Sequence, residues 1–340
     1  MHQYRVGMYG GSFDPLHIGH MNIIIKAACV CKQLYVVLSY SRTRDTIPME
    51  FRYRWIMNSF KHMSNVHIIL LEDTAKSKAE YDTNEYWEQG RDEVIRQIGS
   101  NVDVLFCGSD YKGSNRYEHL YSCPVVYFNR DEIDISSTQI RSNPLKYWEY
   151  IPQICRSYYV KKVLLIGGES TGKSTLAQNL AMAYNTNYLE EVGRDVCDFA
   201  GSEELMIAED FQEILLKHKQ KELELIKGSN RFLFVDTDAL TTKFYSCFLL
   251  VNPEDKMKND LLADALTQIN KFDLIFFLEP TVDFVQDGTR NETIKADREK
   301  YSNQIKELFD DFGFQYHCVS GDYLERFTYV KGIIDEKYSF

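Results

Sequence analysis

The chain has 340 residues, 44% of them hydrophobic and 26% charged. At roughly 100–200 residues per domain this points to two globular domains with sizeable cores, and it excludes disordered, collagen-like and low-complexity architectures. Its 39 basic and 50 acidic side chains leave a formal charge of −11, which argues against nucleic acid as a partner, because neutralising a phosphate backbone needs a basic face.

The N-terminal stretch MHQYRVGMYGGSFDP has no apolar signal core. No apolar run reaches the ~18 residues of a membrane span, so no membrane partner is expected; the longest runs, Val163–Gly168 and Phe272–Leu278, have the length of buried strands. The eight cysteines are scattered without a C-x-x-C pair. Reduced core thiols, a cytoplasmic chain and no zinc site follow as expectations. In chain order, strands are predicted at Tyr4–Tyr9, Leu34–Ser39, Val66–Leu71, Val102–Cys107 and Val125–Phe128, with helices at Ile18–Lys32, Glu50–His62 and Asn84–Ile98 between them. The pattern pauses over the Trp/Tyr-containing stretch Pro144–Pro152. It restarts at Lys161 and runs through Asn187–Leu189, Arg231–Asp236, Phe272–Leu278 and Phe314–Val319. Strands alternating with helices of these lengths imply βαβ units and parallel sheets. The expected fold class is α/β, with a Rossmann-like domain at 1–155 and a second α/β domain at 156–340, each with a glycine-rich loop behind its first strand.

The first loop reads Gly10-Gly11-Ser12-Phe13-Asp14-Pro15-Leu16-His17-Ile18-Gly19-His20. Two glycines let the backbone approach a phosphate with its N–H groups, and a helix starting near Ile18 adds the positive end of its dipole. His17 and His20 lie three apart at that helix start, so both can donate to one polyphosphate. Gly19 leaves room for a flat base or sugar against the backbone. These residues resemble the signature of the HxGH nucleotidyltransferase superfamily. The second signature of that superfamily has its counterpart in Ile135-Ser136-Ser137-Thr138-Gln139-Ile140-Arg141. Ser136, Ser137 and Thr138 are good N-cap residues, and Arg141 lies one turn in, where its fork can take phosphate oxygens. The resemblance implies in-line adenylyl transfer, in which an acceptor phosphate attacks the α-phosphorus of ATP and pyrophosphate leaves. His17, His20 and Arg141 stabilise charge there together with Mg²⁺, and neither histidine need act as a base.

The second loop, Gly167-Gly168-Glu169-Ser170-Thr171-Gly172-Lys173-Ser174-Thr175, fits G-x-x-x-x-G-K-[ST] between an apolar strand and an apolar helix. In such a loop backbone N–H groups cradle the phosphates, Lys173 contacts the β/γ-phosphates and Ser174 ligates Mg²⁺. Downstream, the strand ending at Asp236-Thr237-Asp238 puts a carboxylate beside the loop. Asp236 is read as a Mg²⁺ ligand or general base, and Asp238 as a substrate contact or a helix N-cap. Asp287-Gly288-Thr289-Arg290-Asn291 is a polar turn read either as a mobile lid whose Arg290 closes on the transferred phosphate or as an exposed turn.

An adenylyltransferase followed by a P-loop kinase, joined by Asn143-Pro144-Leu145-Lys146-Tyr147-Trp148 through Ile151-Pro152 and KKVLLIGGESTGKSTLAQNLA, resembles the bacterial NadR family. That resemblance implies phosphorylation of nicotinamide riboside to nicotinamide mononucleotide (NMN) by the C-terminal domain, and adenylylation of NMN to NAD by the N-terminal one. It makes Asp236 the acceptor of the hydroxyl proton and places Asp238 near the ribose. The family's E-Y-x-R-E segment has its counterpart in Glu190-Glu191-Val192-Gly193-Arg194-Asp195, which suggests Glu191 and Arg194 as substrate contacts. Trp87 is a candidate to stack on nicotinamide or to pack in a core, and Arg42 and Arg44 to meet an acceptor phosphate or remain solvated loop charges. Where the family reads roughly S-E-P-Y-G after the fourth strand, this chain has Gly108-Ser109-Asp110-Tyr111-Lys112-Gly113. Some family members carry an N-terminal helix-turn-helix, and this sequence opens directly on its first strand, so no DNA-binding role is expected. A homo-oligomer is compatible with the sequence. Two other readings compete: a pantetheine-phosphate adenylyltransferase fused to a dephospho-coenzyme A kinase, and a regulator that senses ATP and NAD without turnover.

Overall fold

Gly7 sits at the middle of the first sheet because two strands crowd its face. A Cβ there would lie 2.4 Å from Cys31 Sγ and 2.9 Å from the Phe106 ring. In this computed structural model, which describes residues 3–109, 116–128, 133–285 and 295–339, the chain divides into the units Met1–Cys155 and Arg156–Phe340.

The first unit has five strands, Tyr4–Gly11 (β1), Cys31–Tyr40 (β2), Val66–Glu72 (β3), Val104–Gly108 (β4) and Val125–Phe128 (β5), all parallel in the order β3-β2-β1-β4-β5. Its helices are Ile18–Val30 (α1), Met49–Phe60 (α2), Lys78–Tyr81 (α3), Asn84–Ile98 (α4), Arg116–Tyr121 (α5), Ser137–Ser142 (α6) and Gln153–Arg156 (α7). The strand order reverses at β1, so the carboxyl ends of β1 and β4 open on the crevice where doubly wound sheets bind ligands. Helix α1 stops at Val30 rather than at the expected Lys32, and β2 begins at Cys31 without an intervening loop. Asn65 enforces that join, its Nδ2 donating to the carbonyls of Ala28 (2.8 Å) and Cys31 (3.0 Å).

The second unit repeats the plan with Lys161–Ile166 (β6), Asn187–Leu189 (β7), Phe232–Asp236 (β8), Leu274–Leu278 (β9) and His317–Val319 (β10), parallel in the order β10-β9-β6-β8-β7. Every residue of β8 and β9 is buried, as expected of central strands covered by helices on both faces. Those helices include Lys173–Tyr184 (α8), Gly193–Ala200 (α9), Ala208–Leu225 (α10), Ala239–Leu249 (α11) and Pro253–Ile269 (α12), then Arg298–Asp311 and Tyr323–Tyr338. The strand expected from Phe314 starts only at His317. The chain first turns through Gly313 at φ +74°, and the Phe314 N–H closes on the Phe309 carbonyl at 3.1 Å. All eight cysteines are free thiols. Among the described residues no helix is long and apolar enough to cross a membrane.

Candidate active sites

In the first unit β1 delivers Gly10–Gly11 to the crevice, and the chain folds back through Ser12–Leu16 into α1. His17 is the N-cap, its Nδ1 accepting the His20 N–H at 3.3 Å. The two imidazoles stack with centroids 3.6 Å apart and planes 21° from parallel, so the three-residue spacing brings them to one place. Gly19 makes this possible: a Cβ would stand 3.0 Å from the His17 ring. Its small size therefore accommodates the histidine, and Gly19 also lines a cavity with His17, His20, Tyr9, Phe128 and Ile135.

The carbonyls of this loop are held from behind. Arg52 Nη1 donates to Ser12 O at 2.6 Å, Arg141 Nη1 to Asp14 O, and Ser137 Oγ to Pro15 O at 3.0 Å. The Asp14 carboxylate accepts the N–H groups of Thr46 and Ile47, both at 3.0 Å. Ser136 caps α6 in a reciprocal capping box with Gln139. Thr138 Oγ1 accepts from Arg141 Nη2 at 3.1 Å. Phe13 is buried at 1% exposure with a φ of +48°, so only its backbone is in a position to meet a nucleotide.

Gly10, Gly11 and Ser12 also line a cleft of about 910 Å³ with Arg44 and Trp87. Arg44 pairs with Asp73 at 2.6 Å. The Trp87 indole donates to Tyr81 O at 2.8 Å and packs edge-on to Tyr81 and Tyr117. Arg42 does not join them: it is exposed and pairs with Glu72 at 3.1 Å.

In the second unit Gly167 takes φ +141°, and a Cβ there would meet the Leu278 carbonyl at 2.6 Å; the loop can leave β6 against β9 only through glycine. Lys173 is buried, its Nζ resting on Gly168 O at 2.9 Å beside the Thr171 hydroxyl, also 2.9 Å from that oxygen. Thr175 is exposed on the first turn of α8. Glu191 and Arg194 come together at 3.4 Å, and Arg194 Nη2 donates to Ser174 Oγ at 3.0 Å. Glu191 and Arg194, with Glu169 and Lys173, line a cavity of about 100 Å³ to which His218, Thr237 and Tyr245 also contribute.

Asp236 ends β8 fully buried, and among the described residues neither carboxylate oxygen has a partner in hydrogen-bond geometry. Burial, and then the Glu191 carboxylate, push it up to about 6 against the pull of Lys173, the nearby Ser174 hydroxyl and Arg194. Burial also lifts Asp238 to about 6, against the N–H groups of Thr241 and Leu240. Asp238 is the N-cap of α11, Oδ1 accepting the Thr241 N–H and hydroxyl at 3.2 Å each. The helix-cap reading of Asp238 thus describes its present bonds. Arg290 lies outside the described residues, as do Asp110, Tyr111, Lys112 and Gly113.

Sequence reasoning missed Arg52, Arg298 and Arg326. Each sits in an ordinary helical stretch far from its partner loop in sequence, where a single arginine carries no distinguishing signal. It also missed His218 and Tyr245, which read as routine amphipathic positions of α10 and α11.

Residues 8–143 match the cytidylyltransferase-like family and residues 162–326 an AAA-domain family. The trifunctional NAD biosynthesis/regulator protein NadR of Escherichia coli (strain K12) is 30% identical over 97% of this chain and 83% of its own length. A crystal structure of NadR protein in complex with NR superposes with a TM-score of 0.83 at 21% identity, covering 100% of this chain and 97% of that one. Phosphopantetheine adenylyltransferase of Mycoplasma capricolum is 31% identical, over 40% of this chain and 94% of its own length. Fold and loops together define a nucleotidyltransferase-type Rossmann unit followed by a P-loop unit. The chain belongs to the NadR family.

Proposed function

We propose that this chain makes NAD in two ATP-dependent steps. Residues 156–340 phosphorylate nicotinamide riboside on its 5′-hydroxyl, and residues 1–155 join the resulting NMN to AMP from a second ATP, releasing pyrophosphate. The observation that carries this reading is the extent of the two likenesses. Likeness to an NAD biosynthesis protein spans 97% of the chain, whereas likeness to a phosphopantetheine adenylyltransferase covers 40% and falls on the unit whose adenylyl-transfer chemistry the two share.

In the kinase step the P-loop N–H groups and Lys173 hold the triphosphate, while Arg194 and Glu191 border the riboside cavity. Asp236, pushed up to about 6 by burial and then by Glu191, takes the proton of the attacking hydroxyl. Asp236 and Ser174 also offer hard oxygen donors for Mg²⁺, and the two unpartnered carboxylate oxygens fit that ion. When bound, Mg²⁺ neutralises charge on the β- and γ-phosphates. In the adenylyl step the attacking NMN phosphate is already an anion, so no base is required. His17, His20 and Arg141 donate to phosphate oxygens, and the loop fixed by Arg52 and Ser137 presents its N–H groups to them.

Assays with one acceptor at a time test the reading. Pyrophosphate release from ATP with NMN and not with phosphopantetheine is expected, together with ADP release with nicotinamide riboside. Pyrophosphate release with phosphopantetheine alone would replace the first half of the proposal by coenzyme A chemistry. No turnover with any acceptor would leave a nucleotide-sensing role.

A further inference from the structure

The four P-loop carbonyls from Gly168 to Thr171 all accept side-chain hydrogen bonds. Gly168 O accepts from Thr171 Oγ1 and Lys173 Nζ, both at 2.9 Å. Arg298 donates from Nε to Glu169 O at 3.3 Å and from Nη2 to Ser170 O at 2.8 Å, while its Nη1 reaches Val282 O at 2.6 Å. Arg326 Nη1 donates to Thr171 O, and its Nη2 to Glu279 O and Thr281 Oγ1, both at 2.7 Å. Arg326 also donates from Nε to Gly321 O at 2.9 Å and is only 2% exposed.

A trans peptide is planar, with its C=O and the next residue's N–H pointing in opposite directions. Fastening a carbonyl on one side therefore aims the following N–H to the other. The two guanidiniums thus set the directions of the Ser170, Thr171 and Gly172 N–H groups, which a P-loop offers to phosphate oxygens. Preorganising such donors before the ligand arrives avoids reorganisation at the moment of binding and reaction. The same arginines tie the loop to 279–282, and Val285 N–H adds a bond to Ser170 Oγ at 2.9 Å. A lysine keeps the charge but, with a point-like ammonium, cannot bridge these divergent acceptors.

Resting on the kinase reading of the second unit, we propose that Arg298 and Arg326 are positioning residues for ATP, acting through the P-loop backbone. The test is steady-state ADP release by the full chain carrying Arg326→Lys or Arg298→Lys, with ATP and riboside varied in turn. Pyrophosphate release with NMN is followed on the same preparations. Each variant is expected to raise the KM for ATP about fivefold or more, the scale of one misplaced charged hydrogen bond. The riboside KM and pyrophosphate release should stay within about twofold of wild type.

An unchanged ATP KM with only kcat lowered would show a merely structural role, and wild-type behaviour of both lysine variants would show that charge suffices. Either result overturns the proposal. Arg298 is only half-buried at a helix start, so its variant carries the test should Arg326→Lys fail to fold. If the wild type releases no ADP, the kinase reading itself has failed. Calorimetric titration with ADP then decides, a weakened isotherm in the variants supporting the positioning role and an unchanged one overturning it.

Discussion

Lys173 and His20 separate the two chemistries most cleanly, because each belongs to one unit. Lys173→Ala removes the ammonium that now rests on Gly168 O. It is expected to lower riboside phosphorylation by about 10²–10³-fold, the scale of removing one preorganised donor from a transition state, while pyrophosphate release with NMN persists. His20→Ala should do the reverse, since its ring stacks on His17 at the start of α1. Both assays on one preparation check this, and loss of both activities from either change would contradict two independent sites. These residues were legible in the sequence because glycine, histidine and lysine spacing around a phosphate loop is local. Arg52 and Arg326 were not: Arg52 is 40 residues from Ser12, and Arg326 is 155 from Thr171. Nothing local announces such a bond.

At the scale of elements the strands and helices followed from apolar runs, and their ends from tertiary contacts. The expected helix to Lys32 was cut at Val30, where Cys31 is drawn into the sheet under Gly7 and Asn65 holds both carbonyls of the join. The six-residue helix α6 depends on its cap: Ser136→Ala removes the acceptor of the Gln139 N–H and should cost about 1 kcal/mol. Because Arg141 and Ser137 on that helix hold Asp14 O and Pro15 O, the same change should weaken adenylyl transfer more than riboside phosphorylation. Urea midpoints and the two assays measure this, and equal losses in both activities would argue against the link. Gly167→Ala should cost at least about 1–3 kcal/mol, because φ +141° is nearly closed to L residues, and its Cβ would press on the Leu278 carbonyl.

For the whole molecule, the charge of −11 speaks only against nucleic acid; the proposed anion sites are built locally, from N–H groups, histidines and single cations. Acid sensitivity is built locally as well. Burial holds His218 below the ordinary histidine range, despite the favourable field of Glu222, the Asp236 carbonyl and Glu191, with Lys219 opposing protonation. The unfolded chain therefore takes up a proton near pH ~6.5 that the folded chain refuses. Stability is full above that pH and falls as pH drops through it, by up to about 1.4 kcal/mol per pH unit for this group alone. Burial would raise Glu222, but Lys162 at 3.1 Å and Lys219 at 2.9 Å hold it below the usual carboxylate range. Its stabilisation is present above pH ~4.3 and lost further down. Asp236 and Asp238, pushed up to about 6, take up protons in the folded chain over the same range and oppose this loss, so His218 is read as a difference between proteins. In urea melts at pH 7.5 and pH 5.5, without nucleotide or divalent ions, wild type should fare worse on acidification than His218→Gln, and equal changes in the two would contradict the assignment.

The central claim is that one chain carries riboside through to dinucleotide. The measurement that tests it most directly is product analysis of the full-length protein given only nicotinamide riboside, ATP and Mg²⁺. NAD should form with one ADP and one pyrophosphate released per molecule made. Lys173→Ala protein should make NAD only when NMN is supplied, and His20→Ala protein should accumulate NMN. Absence of NAD from the wild-type reaction, with the protein folded and both substrates intact, would contradict the account.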